Sequence, residues 1–323
     1  MTVAAVIPHW NRRDLLDSLF TSLRAQTRPF DEIILIDNGS TDDSADLAER
    51  HAAKVLRLGQ NFGFAVAVNR GISSTNADWI AILNNDVTLA PDWLEQLLKT
   101  DSQFATGKIL NAADHSLIDG TFDEISRGAC AWRCGQGKKD SPVWNQRQAI
   151  RMAPMTAAIF RKSLFTAVGP LDENFGSYLE DVDFGIRCAL LGLAGEYIPE
   201  AVAYHRGSET WGAWNKDTVK RISRNQILLT VKHFGGQPLW PIVAGQMLWG
   251  LVALRHLRGA SYLRGKISGW KAARALYREK ITVSEDRIAS LVTTGEAQIF
   301  ALQQQTGFDR YWRAYFWLLR QSS

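Results

Sequence analysis

Cysteine is scarce: the 323 residues hold three, Cys130, Cys134 and Cys188. Three cannot build a disulfide framework, and the Cys130–Cys134 spacing has no matching second pair, which makes a poor zinc site. A reducing compartment is the expectation. A long apolar span is missing too. Phe234–Leu254 carries no charge, but Pro238 and Pro241 interrupt it and thirteen residues then remain before Arg255, whereas a transmembrane helix needs about 20. The opening Met-Thr-Val-Ala-Ala-Val-Ile-Pro has no basic stretch ahead of its apolar run, so it reads as a first strand and not a signal peptide. There is no internal repeat.

What is present suits a catalytic domain of roughly 200 residues with an appendage. Hydrophobic residues make up 46% and charged residues 22%, which allows a sizeable core and excludes disorder. The net charge of +4 conceals an asymmetry. Residues 216–280 carry 13 Lys and Arg against Asp217 and Glu279, a balance of +11, and residues 281–323 are neutral, which leaves residues 1–215 at −7. Such a basic segment seeks phosphate, whether on nucleic acid, anionic lipid or a diphosphate-bearing substrate.

The first hundred residues alternate strand and helix: strands at Val3–Ile7, Ile33–Ile36, Lys54–Leu58 and Trp79–Leu83, helices from Asn11 to Gln26, Asp42 to His51, Phe64 to Ser74 and Pro91 to Lys99. This alternation predicts an α/β fold with a parallel sheet covered on both faces. From 101 to 150 the pattern weakens, with Gly135–Asp140 expected as a mobile loop. Ala157–Phe160, Ser163–Val168 and a helix from Val182 to Leu191 follow. Beyond about residue 216 the helical pattern is continuous. There, Trp240, Val243, Met247, Leu251 and Leu254 share one side next to Arg255 and Arg258, and Tyr311, Trp312, Tyr315, Phe316 and Trp317 stand beside Arg310, Arg313 and Arg320. These two stretches read as interfacial helices lying on an anionic membrane. Packing on the catalytic body or a homodimer contact is the alternative.

Ligands of open parallel sheets bind beyond the carboxyl ends of the strands, so three polar turns matter: Pro8-His9-Trp10-Asn11, Asp37-Asn38-Gly39-Ser40-Thr41-Asp42-Asp43 and Asn84-Asn85-Asp86. The second also reads as a turn with a Ser40–Asp43 capping box, which leaves the Asp37 carboxylate free to accept from the imide of uracil or thymine. Asn61-Phe62-Gly63-Phe64 through Asn69-Arg70 opens a helix whose N-terminus favours anions. A carboxylate at Asp86 suits a hard divalent cation that shares its shell with phosphate oxygens. Glu180-Asp181-Val182-Asp183 follows an aromatic loop, Phe175-Gly176-Ser177-Tyr178, and offers more acid than a helix start requires, one of them as a general base. His205 ends a strand and gains significance if it shares a metal with Asp86.

In that order, over about residues 2–210, these motifs resemble the family 2 glycosyltransferases, close to their bacterial rhamnosyltransferase-like branch. The resemblance implies an A-type glycosyltransferase fold, a Rossmann-like, mostly parallel sheet with helices on both faces, over residues 1–215, and a basic, Trp-rich helical extension over 216–323. It implies that Pro8, Asn11, Asp37 and Asn38 line a nucleoside pocket and that Asn61 and Asn69 lie near the donor. Arg70, from its place on the helix after that turn, is expected to meet the diphosphate, with Asn84 and Asn85 also on the nucleotide side. Asp86 and His205 would hold Mg²⁺ or Mn²⁺, and Asp181 would act as base with Glu180 beside it. Asn84 departs from the family's Asp-X-Asp signature by one charge. The implied partners are a nucleotide-diphospho-sugar, with dTDP-rhamnose favoured, and a glycan or polyprenyl-diphosphate-linked acceptor at the cytoplasmic face of the membrane. A sugar nucleotidyltransferase would want a Gly- and Lys-rich loop after the first strand, which Pro8–Asn11 is not. A non-catalytic binding protein would have little use for both Asp181 and His205. Nucleic acid is disfavoured by the acidic body and the lack of any zinc-finger or aromatic-basic motif.

Overall fold

The computed structural model describes residues 1–207, 214–276 and 285–320. The backbone forms two compact units, residues 1–122 with 135–210, and residues 123–134 with 211–323.

In chain order the first part comprises β1 (Val3–His9), α1 (Leu16–Arg24), β2 (Glu32–Asp37), α2 (Ser44–Arg50), β3 (Lys54–Arg57), α3 (Phe64–Ser73), β4 (Trp79–Leu83), β5 (Val87–Leu89), α4 (Trp93–Leu97), β6 (Phe104–Asn111) and β7 (Ile118–Gly120). A hairpin of β8 (Asp123–Ile125) and β9 (Ala131–Arg133) follows. Then come β10 (Gln148–Ile150), β11 (Ala157–Arg161), α5 (Lys162–Val168), α6 (Glu180–Leu190) and β12 (Gly195–His205). The sheet of the first unit runs β10-β12-β6-β11-β4-β1-β2-β3, with β5 added on β12 and β7 on β6. It is mixed. β4, β1, β2 and β3 are parallel, β11 is antiparallel to both β4 and β6, and β12 is parallel to β6.

The strand pattern decides which helix goes where. Val3, Ala5 and Ile7 alternate onto one face and bury Leu16, Leu19, Phe20 and Leu23 of α1 with Trp93, Leu94 and Leu97 of α4. On the other face α3 lies so close that a Cβ on Gly71 would be 2.4 Å from Val6 Cγ1. The helix expected from Asn11 begins later, at Leu16 after a 3-10 turn (Arg13–Leu15), because Asn11 and Arg12 are left-handed and Asn11 is bonded elsewhere.

β6 is a buried central strand that hydropathy reading did not find. Its sequence, Phe-Ala-Thr-Gly-Lys-Ile-Leu-Asn, is broken by Lys108, whose buried ammonium meets Asp140 Oδ1 at 2.9 Å. The Gly135–Asp140 segment, expected as a mobile loop, is tied down by that pair and by backbone bonds to Ser116 and Ile118. β6 and β12 also meet at a bulge between Ile198 and Val202.

The second unit holds the β8–β9 hairpin with α7 (Lys216–His233), α8 (Leu239–Arg255), α9 (Gly259–Leu276), α10 (Glu285–Thr306) and α11 (Arg310–Arg320). The hairpin lies within 1–215 in sequence yet folds with these helices. Arg127 grips Glu296 of α10 with its backbone N–H and its guanidinium, and Tyr315 of α11 donates to the same carboxylate at 2.7 Å. Pro238 and Pro241 start α8 instead of breaking it, since a first turn has no use for their missing N–H. The aromatic row of α11, expected to lie at an interface, is partly turned inward: Trp312 and Tyr315 are buried, Trp312 edge-on to Trp132, whereas Trp317 is exposed.

Gly107 faces the β12 bulge so closely that an added Cβ would lie 1.8 Å from Ala201 O. Gly107→Ala is therefore expected to cost about 1–3 kcal/mol of stability, read by denaturant unfolding, and to disturb the strand that carries His205.

Candidate active site at the carboxyl edge of the sheet

The loops after β1 and β2 are stitched together. Asn11 Oδ1 accepts the Thr41 N–H at 2.9 Å, and the Asn11 N–H donates to Ser40 Oγ at 2.8 Å. Ser40 is thus engaged with Asn11, and the expected capping box is not formed: α2 starts without a side-chain cap. Asp37 Oδ1 accepts the Ser40 N–H at 2.9 Å, so this buried carboxylate keeps Oδ2 to accept from a ligand. Asn38 is buried and fully used. Its Nδ2 donates to Asn61 Oδ1 and Gly63 O, both at 3.1 Å, and its Oδ1 accepts the Phe62 N–H at 2.9 Å. Asn38 and Asn61 thereby shape the loop ahead of α3.

Gly63 sits at φ +93, and a Cβ there would be 2.9 Å from Gly176 O, so only glycine lets the two loops touch. The Ala65 N–H donates to Gly176 O at 2.9 Å and the Phe64 N–H to Ser177 Oγ at 3.1 Å. The first amides of α3, which sequence reading offered to an anion, are already engaged. Asn69 is committed as well: its Nδ2 donates to Leu171 O (2.9 Å) and Glu173 Oε1 (3.0 Å), and its Oδ1 accepts the Leu171 N–H (2.9 Å). Arg70 is exposed on α3. What this helix does is fix the loop that leads into the acidic cluster.

That loop ends in two consecutive left-handed non-glycine residues, Tyr178 (φ 73) and Leu179 (φ 68), immediately before α6. Such strain concentrates at functional sites. The three acids that follow separate by role. Asp183 is fully buried and pairs with Arg187 at 3.0 Å, so it is structural. Glu180 is buried in the first turn. Asp181 is half-buried, its Oδ1 accepting the Val182 N–H at 2.9 Å.

Beyond β4, Asn84 is anchored by its N–H on Thr156 O at 2.9 Å. The pairing of β5 with β12 sets His205 opposite Val87 and brings Asp86 Oδ1 to 3.0 Å from His205 Nε2, a charge contact without hydrogen-bond alignment. The far side of the imidazole, Nδ1, is 2.8 Å from Asp119 Oδ2. Burial disfavours the imidazolium, but the bond to Asp119 and the nearby charges of Asp119 and Asp86 outweigh it and raise His205 to about 9. Asp119, on β7, was missed in the sequence because it sits in the weakly patterned 101–150 region. His9 was noted only as part of its motif. It is buried, and its Nδ1 meets Asn85 Nδ2 at 2.9 Å. An amide nitrogen can only donate, which puts the ring proton on Nε2. That atom is buried with no hydrogen bond among the described residues.

The model of glycosyl transferase family 2 matches residues 4–165, half of the chain. The chain belongs to glycosyl transferase family 2. The N-acetylglucosaminyl-diphospho-decaprenol L-rhamnosyltransferase of Mycobacterium tuberculosis is 26% identical to this transferase over 252 residues, 68% of this chain and 81% of that one. The pre-mycofactocin glycosyltransferase of the same organism is 31% identical over 208 residues, 63% of this chain and 42% of that one. Among solved structures, GalNAc-T7 with UDP, GalNAc and Mn²⁺ aligns with a TM-score of 0.60 at 14% identity, over 76% of this chain and 51% of that one. The mannosyltransferase PcManGT of Pyrobaculum calidifontis, with GDP-Man and Mn²⁺, aligns at 0.52 and 15% identity, over 97% and 85%. The fold of the transferase is the A-type glycosyltransferase fold.

The His9 environment makes a pH prediction. Burial, against the pull of Asp42, Asp37 and Asp14, pushes its pKa down from 6.5 to about 4. Below pH 6.5 the unfolded chain takes up this proton before the folded one does, so the associated stability is intact above 6.5 and lost as pH falls toward 4. The loss is about 3 kcal/mol. Urea unfolding across that window should show the decline in the parent and a flatter profile in His9→Gln.

Proposed function

We propose that this family 2 transferase moves a sugar with inversion from a nucleotide-diphospho-sugar to a hydroxyl of a lipid-linked glycan at the cytoplasmic face of the membrane, the sugar being L-rhamnose and the donor dTDP-rhamnose. The observation that carries the reading is the meeting of Asp86 and His205 at the same sheet edge as the stitched Asn11–Asp37 loops, in a chain whose Mycobacterium tuberculosis relative is named a rhamnosyltransferase on N-acetylglucosaminyl-diphospho-decaprenol.

Each part has a task. Asp37 Oδ2 would accept the imide N–H of the pyrimidine, with Pro8 and Asn11 beside the nucleoside. Asp86 and His205 would hold Mg²⁺ or Mn²⁺. At 3.0 Å apart, the two donors are close enough to share one hard divalent cation. Asp86 Oδ1 is buried without an aligned hydrogen bond, and Asp119 orients the imidazole from its far side, as carboxylates do behind metal-binding histidines. Among the described residues no three or more His, Cys, Asp or Glu side chains form a complete cage, so the donor diphosphate would supply the remaining ligands. When bound, the ion neutralises the leaving diphosphate. Asp181 accepts the proton of the acceptor hydroxyl as that oxygen attacks the anomeric carbon opposite the diphosphate, and Glu180 lies beside it to position the base or the acceptor.

Donor loss read by mass spectrometry tests this on a panel of dTDP-rhamnose with UDP- and GDP-sugars, with Mn²⁺ or chelator. Consumption of dTDP-rhamnose alone, stopped by chelator, is expected. Asp181→Asn keeps the bond to Val182 and should lower turnover about 10²–10⁴-fold with nucleotide affinity unchanged. Consumption of a different donor would overturn the sugar assignment, and an unimpaired Asp181→Asn would remove the base.

A further inference from the structure

α9 has two opposed faces. On one, Ser261, Gly265, Gly269 and Ala273 recur every four residues and are buried. Added Cβ atoms would be 2.4 Å from Lys220 O at Gly265 and 2.6 Å from Arg224 O at Gly269, so α9 lies backbone-close on α7 and cannot rotate. The opposite face, Leu263, Ile267 and Trp270, is thereby turned outward, with exposures of 59%, 58% and 57%. α8 is fastened to α9 by buried polar bonds. Tyr262 donates to Gln246 O at 2.9 Å, and Lys266 Nζ donates to Gln246 Oε1 at 2.7 Å and Gln226 Oε1 at 2.8 Å. With that side occupied, α8 presents Trp240, Val243, Met247, Leu251 and Leu254 to solvent, the last three about as exposed as the α9 row, at 61%, 59% and 61%.

Two fixed, adjacent helices therefore carry outward apolar rows, an arrangement that monomeric soluble proteins rarely leave uncovered. The charges around the rows select what covers them. Arg255, Arg264, Lys271 and Arg274 are exposed on the same two helices, and no acidic residue occurs between Asp217 and Glu279. A two-fold contact between copies of this face would set these cations against one another with no acid to answer them. No helix among the described residues is long and apolar enough to cross a membrane.

We infer that the outward face of the α8–α9 pair is the surface by which this protein docks on an anionic lipid leaflet, its apolar rows entering the acyl boundary and its basic residues resting on the headgroups. Trp240 and Trp270, both exposed, supply indoles, which favour the interface, and each basic residue near the surface adds to the attraction. The inference deepens, and rests on, the reading of a lipid-linked acceptor. It is tested by vesicle binding without turnover, so that failure of docking and failure of glycosyl transfer are scored apart.

The test is co-sedimentation of the full chain with vesicles of equal parts phosphatidylglycerol and phosphatidylcholine, against phosphatidylcholine alone, with tryptophan emission followed in parallel. Binding to the anionic vesicles with a blue shift, weakened by salt, is expected. The double substitution Leu251→Ser with Ile267→Ser should weaken partitioning about tenfold or more. Arg264→Glu with Lys271→Glu, which leaves the apolar rows intact, should abolish the preference for anionic lipid. Circular dichroism confirms the fold of each. The proposal is overturned if the parent ignores anionic vesicles, if both variants partition like it, or if the lipid-free protein is a dimer that the serine substitutions dissociate.

Discussion

The antiparallel pairing of β5 with β12 is the contact on which the site depends. His205 stands opposite Val87, the residue after Asp86, so strand register alone fixes the approach of a carboxylate and an imidazole that are distant in sequence. β12 is held from its other side by β6, with Asn111 opposite His205, and β7 hangs on β6 and delivers Asp119. A one-residue slip of β12 would turn His205 to the opposite face of the sheet. The pairing of β12 with β6 changes register at the bulge between Ile198 and Val202, ahead of His205. The chemistry is local, but its precision is a property of the central strands.

This dependence explains what the sequence revealed and what it hid. The parallel half, β1 to β4, was legible because its strands are short apolar runs separated by amphipathic helices and followed by polar turns. Asp37, Asp86, Asp181 and His205 were legible as residue types at strand ends or a helix start. β5, β6 and β7, which set Asp86 and Asp119 against His205, were not. β6 contains Thr, Gly and a buried Lys108 whose charge is answered by Asp140, and a pattern of hydropathy cannot show a compensation made by a residue thirty positions away. Asn38 was read as lining a nucleoside pocket and Asn69 as lying near the donor, and in the structure their side-chain amides bond the surrounding loops. A motif marks a position that matters without saying whether it touches ligand or holds what does. In the helical unit the rows on α8 were visible by spacing, and the row on α9 was not, because its direction is set by Gly265 and Gly269 packing on α7.

Two histidines at one sheet edge show how the surroundings divide the electrostatic work. His205 lies between Asp86 and Asp119 and is pulled up to about 9. His9 is buried with no carboxylate among the described residues bonded to its ring, and burial pushes it down to about 4. Asn85 suits the neutral state, because its Nδ2 donates and His9 Nδ1 accepts. An aspartate at that position would draw a proton onto the ring and place a second imidazolium at the same edge. The run Asn84-Asn85-Asp86 thus supplies one acid to His205, and β7 supplies a second, Asp119, on the far side of the ring. Positive charge is favoured at that one spot, and His9 stays neutral with its Nε2–H buried at the edge where the loops after β1 and β2 meet.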